Sequence, residues 1–230
     1  MLVPNYYLLQ ILPMNIPLFK KNVCYHTSIK IANFDINKMI LLDFYMKNNK
    51  YIYIKIIMSI LKIARIGHPI LTKKAEKLKN ISQNSLKRII IDMTHTLIDS
   101  NGIGLAAPQV YINKRIILFR SDLNNKEKKE IDEKKIQITA LINPSYKGIA
   151  EEYEDDWEGC LSIPGMIGKV RRFKKITYKG YNLKGKLVQK TVEGIISRII
   201  QHECDHLNGI LYISRLSDPK FFGYAEEFKN

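Results

Sequence analysis

The stretch "QHECDHLNG", residues 201–209, sets two histidines four positions apart with a glutamate directly after the first. At about 100° per residue on an α-helix, His206 lies roughly 40° round from His202 and one turn along. Both imidazoles then face the same way, as two ligands of one metal ion do. Glu203 falls near that face, beside the metal but poorly placed to join its ligands. A proton acceptor for an activated water belongs there. Asp205 flanks His202 from the other side and can orient a ligand or tie down the helix end. Cys204, about 200° from His202, points away and reads as core packing. Ile195, Ile196, Ile199 and Ile200 surround the pair. Unpartnered imidazoles are costly to bury in such company, so metal ligation is favoured over a polar patch.

A catalytic ion of this kind has three protein ligands and one open position. Downstream of His206 there is no histidine, and the acids are Asp218, Glu226 and Glu227. Upstream, "EDDWEGCLSIPG" carries Cys160, 42 residues before His202, beside Gly159 and a turn-forming Pro164-Gly165 pair. A thiolate suits softer divalent metals. A buried structural thiol and a nucleophilic Cys–His pair are the other readings, but the metal reading unites all three groups. A third stretch, "NGIGLAAPQV", lacks the GxGxxG continuation and the lysine of a phosphate loop. It offers bare backbone able to approach a ligand closely, followed by an amide donor at Gln109.

These groups need rigid elements to hold them. "SLKRIIIDMTHTLIDSNG" places Leu86, Ile89, Ile90, Met93 and Leu97 at helical spacing and ends at Asn101-Gly102. "RIILF" and "ITALINP" are β-rich, and "KKITYKGYN" and "KLVQKTVEG" flank Lys184-Gly185 as a hairpin. "EGIISRIIQHECDHLNG" is a buried helix ending at Asn208-Gly209. Strands followed by a histidine-bearing helix predict an α+β domain over residues 60–230. "SDLNNKEKKEIDEKK", residues 121–135, is nearly free of apolar residues and reads as a solvated surface insertion.

Residues 1–59 differ. An apolar start broken by Pro4, Pro13 and Pro17 makes a poor membrane span, so no stable membrane insertion is expected. It is followed by a basic, acid-poor stretch, the pattern of an organellar leader that is poorly ordered. A plain extension, or a start at Met58, are the alternatives. Formal net charge is +15. The lysines are scattered, and no helix shows a basic stripe with interleaved aromatics, so no specific nucleic acid is expected. Three cysteines, Cys24, Cys160 and Cys204, are too few for a disulfide framework and imply a free thiol at Cys160.

In this order and at these separations, "GIGLAAPQV", "EGCLSIPG" and "QHECDHLNG" resemble the three signature motifs of the peptide deformylases, over about residues 60–217. The resemblance implies that family's α+β fold, β-sheets around a central helix carrying HExxH. It implies removal of formyl from the N-terminal formylmethionine of new polypeptides, near the ribosome. It also implies an organelle with bacterial-type translation, a plastid or apicoplast ahead of a mitochondrion. By motif, Cys160, His202 and His206 would hold one Fe²⁺ per chain, with Zn²⁺, Ni²⁺ or Co²⁺ as substitutes. Glu203 would be general base and then acid. The Gln109 amide and the Leu161 backbone N–H would stabilise the oxyanion. Gly104, Ile103 and Gly159 would contact substrate, with Ile163 and Ile199 as further liners of the methionine pocket. Arg172 would pair with Glu158. Ile167 stands where many relatives carry an arginine near the substrate's approach, and the tail after Leu216 is short for the type with a long C-terminal helix. Two other readings remain: an HExxH zinc endopeptidase, and a basic nucleic-acid-binding module with a structural metal.

Overall fold

The computed structural model describes residues 59–79, 83–123 and 136–228, with 30–31 and 34–35 besides. The expectations for a leader over 1–59 and an insertion over 121–135 fall almost wholly outside these residues. In chain order, β1 (Lys30–Ile31) and β2 (Phe34–Asp35) precede helix α1 (Gln83–Asp99). Strands β3 (Gly104–Ala106), β4 (Ile116–Arg120), β5 (Gln137–Gly148), β6 (Tyr153–Cys160), β7 (Ile163–Phe173), β8 (Lys175–Tyr181) and β9 (Leu187–Glu193) follow. Helix α2 (Gly194–Leu207) and β10 (Phe222–Tyr224) come last, giving the expected α+β architecture.

Strand β4 shows how the layers form. Ile116, Ile117, Leu118 and Phe119 are all buried, because a strand puts alternate side chains on opposite faces and both faces are covered. Ile116 and Leu118 join Leu86, Ile90, Met93 and Leu97 of α1 in one core. Ile117 and Phe119 join Ile196, Ile199, Ile200, Cys204 and Leu207 of α2 in another. Each such buried side chain contributes roughly 1.5–3 kcal/mol. The larger sheet runs β2-β1-β5-β4-β3, with β8 on β5 and β9 on β8. β5 serves two neighbours by bending. Ile138–Ile142 pair with β4, the register shifts after Ile142, and Ser145–Gly148 pair with β8. At the bend Asn143 has φ 50°, and its amide exchanges two hydrogen bonds with the Leu78 backbone.

The smaller sheet, β10-β7-β6, lies against the other side of α2. The histidine-bearing helix is therefore held between two sheets. α1 ends at Asn101-Gly102 as expected, with Asn101 in the left-handed conformation (φ 51°). One local expectation needs correction. Pro164 and Gly165 lie within β7, and the turn from β6 is made by Leu161 and Ser162. The Ser162 N–H donates to Cys160 Sγ across that turn, which closes it two residues early and leaves Gly165 with φ 77° inside the strand. Among the described residues no helix is long and apolar enough to cross a membrane.

Candidate metal centre

Helix α2 presents His202 and His206 one turn apart, and the end of β6 brings Cys160 to them. His206 Nε2 lies 3.2 Å from His202 Nε2 and 3.3 Å from Cys160 Sγ. The three donor atoms lie within 4.8 Å of one another. Cys160 and His206 are 6% and 1% exposed, and the His202 side chain 11%. A four-coordinate ion with bonds of about 2.0–2.3 Å keeps its ligand atoms roughly 3.3–3.6 Å apart. The observed spacings sit at the edge of that range, and two nitrogens with one sulfur form a borderline-soft set, so the residues fit a divalent transition metal.

Electrostatics prepare the donors. Burial opposes ionisation of Cys160, but His206 and His202 beside it bring the thiol well below its ordinary value, to the ligating thiolate. Gln109 Nε2 and the Ser162 N–H also donate to the sulfur, at 3.5 and 3.4 Å. Glu158 accepts from His202 Nδ1 at 2.9 Å. A carboxylate only accepts, so the proton sits on Nδ1 and Nε2 is left for the ion. Glu158 also accepts two bonds from Arg172 and one from Arg198, each at 2.9 Å. Burial would raise its pKa, but Arg172 and His202 hold the carboxyl far below the usual range. Arg172 goes on to Asp205, which also accepts from Arg215 at 2.7 Å. Asp205 thus ties α2 to β7 and to the segment after the helix.

Glu203 is buried beside the histidines, and its Oε2 has no partner among the described residues. Burial pushes its carboxyl up to about 7, with His202 and His206 pulling the other way. That is the range of a group that both takes and returns a proton. Strand β3 passes so close that a Cβ built on Gly104 would stand 2.3 Å from Glu203 Oε1. Among the described residues β3 pairs with β4 alone, which leaves its other edge open there. Gln109 Oε1 accepts the Ala106 N–H at 2.8 Å, which aims Nε2 at Cys160. The Leu161 N–H sits in the turn, outside the β6–β7 ladder, and Gly159 pairs with Ile167 across it. Cys204 packs in the α2 core, and burial pushes its thiol up to about 12.

The structure does not gather every expected pocket residue. Ile103 and Ile199 share the α2 core, whereas Ile163 packs with Cys160 in a separate cluster with Tyr212. Three supporting residues escaped sequence reasoning: Glu158 as the partner of His202, Arg198 as a second cation on it, and Tyr212. The Tyr212 ring stacks on His202 at 6.1 Å while its hydroxyl donates to the Met166 carbonyl. Arg198 lies one helical turn before His202, so its spacing was the available signal.

The sequence model of the polypeptide deformylase family matches residues 60–222. Peptide deformylase 1 of Nitrosomonas europaea is 38% identical over 164 residues, covering 71% of this chain and 92% of that protein. Peptide deformylase 1 of Prochlorococcus marinus is 40% identical over 172 residues, 75% of this chain and 88% of its own. Among solved structures, peptide deformylase from Thermotoga maritima superimposes with a TM-score of 0.60 at 36% identity, covering 69% of this chain and 99% of that one. The Synechococcus elongatus enzyme in complex with actinonin gives 0.61 at 33% identity, covering 70% and 80%.

Proposed function

This chain belongs to the polypeptide deformylase family, and from that membership we propose how its own residues carry out the family's reaction. The reaction is hydrolysis of the formamide on the N-terminal methionine of newly made polypeptides, with release of formate. The observation that carries the assignment to residues is the convergence of Cys160 Sγ, His202 Nε2 and His206 Nε2 beside a buried glutamate. Those three atoms would hold one divalent ion, Fe²⁺ by preference with Zn²⁺, Ni²⁺ or Co²⁺ as substitutes. When bound, such an ion supplies Lewis acidity that makes water nucleophilic near neutral pH.

Glu203 takes a proton from the attacking water and returns it to the amine nitrogen as the C–N bond breaks. Gln109 Nε2 and the Leu161 N–H donate to the oxyanion formed on the formyl carbon, and one such donor is worth about 3 kcal/mol of barrier. The open edge of β3, with Ile103 and Gly104, pairs with the peptide backbone, while Gly159 lets the chain approach Cys160. Glu158 keeps His202 in the ligating tautomer. An HExxH endopeptidase would need its third ligand elsewhere, whereas Cys160 already stands beside the histidines.

Glu203→Gln is the direct test. It should retain the ion and abolish formate release from a formyl-Met-Ala peptide; near wild-type turnover would remove Glu203 as the base. Activity lost within hours of aeration supports Fe²⁺, and stable activity supports zinc or nickel. The apolar-then-basic composition of residues 1–59 supports delivery to a plastid or apicoplast, with work close to the ribosome. A fluorescent protein fused behind residues 1–59 that stayed in the cytosol would refute the address.

A further inference from the structure

Lysines that are scattered in the sequence meet on one sheet surface. Lys147 stands opposite Thr177, which stands opposite Thr191. In the next row Ser145, Lys179 and Gln189 are aligned, and Lys175 pairs with Glu193 at the end. Cross-strand partners share a face, so these residues form one polar surface over β5, β8 and β9. Lys184 and Lys186 extend it through the turn. These five lysines are exposed, and no acid occurs from Lys174 to Val192. Among the described residues only Lys175 of the five is in an ion pair, with Glu193 at 3.5 Å. The other face of β8, through Ile176 and Tyr178, is buried in the α2 core, so the basic face looks away from the metal centre.

We propose that this face docks the phosphate backbone of structured RNA. At about 3.3 Å per residue and 4.8 Å between strands, it presents fixed positive charge over roughly 20 by 10 Å. The interleaved Ser145, Thr177, Thr191 and Gln189 supply neutral hydrogen-bonding groups for phosphate and ribose hydroxyls. A lipid surface is a poorer match, because the large exposed apolar residues beside this face, Ile149 at one end and Tyr181 and Leu187 at the other, flank the lysines and form no continuous apolar patch. A protein partner is poorer too, since lysine is depleted from protein interface cores. Nothing here reads base sequence, so the contact is a backbone contact.

The test is anisotropy of a labelled RNA duplex of about 20 base pairs, titrated with the metal-loaded full chain across roughly 50–200 mM salt. The triple variant Lys179→Gln, Lys184→Gln, Lys186→Gln should bind more than about tenfold more weakly, with a salt slope shallower by about 2–3. Its formate release should be unchanged. A second triple variant, Lys73→Gln, Lys74→Gln, Lys77→Gln, removes the same charge from another exposed segment and should keep its RNA affinity. Equal weakening of both variants, no binding by the parent, or tighter binding to phosphatidylglycerol vesicles or polyglutamate would each overturn the proposal.

Discussion

Replacing Gly104 by alanine should damage catalysis far more than folding. A Cβ there would stand 2.3 Å from Glu203 Oε1, 2.9 Å from Glu203 Cδ and 2.8 Å from Ile199 Cγ2. Non-bonded contact is favourable from about 3.5 Å, so something must yield by roughly 1 Å. Ile199 is locked in the α2 core, and β3 is held by its ladder to β4. The carboxylate is the group left to move. A displacement of about 1 Å in a catalytic group costs on the order of a hundredfold in rate, or about 2.7 kcal/mol of barrier. Overpacking at Ile199 adds about 1–3 kcal/mol of destabilisation. The assay is formate release from a formyl-Met peptide, with metal content and thermal midpoint measured on the same sample. The expected result is a kcat/KM down about a hundredfold with one ion still bound. Activity within about threefold of the parent would refute the placement of Glu203 as base.

Two further outcomes follow from buried charge. Arg172→Leu leaves Glu158 and Asp205 short of their common partner in a buried network, and losing one member of such a pair costs about 3–5 kcal/mol; a urea midpoint close to the parent's would contradict this. His95 is half-buried with Nε2 unpartnered among the described residues. Burial holds its imidazole below the ordinary value, and Asp92 pulls the other way. The unfolded chain therefore binds the extra proton more readily, so this contribution is intact above about pH 6.5 and is lost as pH falls below it. His95→Gln should flatten the urea midpoint between about pH 7 and pH 5 relative to the parent, and an unchanged pH slope would contradict the assignment.

Much of the fold was legible because its signals are local. The apolar spacing of α1, the Lys184-Gly185 turn and the hydrophobic run of β4 each depend on residues close in sequence. HExxH fixes its own geometry once the helix is granted. What the sequence hid depends on packing between distant segments. Glu158 is 44 residues from His202, and Arg172 reaches Asp205 across 33, so neither bond follows from periodicity. The closing of the β6–β7 turn before Pro164 depends on a bond to the Cys160 sulfur. The basic face shows the same limit in reverse. Lysines read as scattered along the chain share a surface once β5, β8 and β9 align.

The decisive measurement is the metal content of chain purified without oxygen, for the parent and for Cys160→Ala. If one thiolate and two imidazoles grip the ion together, the parent carries one divalent ion per chain and the variant, still folded, retains almost none and releases no formate. A folded Cys160→Ala protein that keeps a full equivalent of metal would contradict the account.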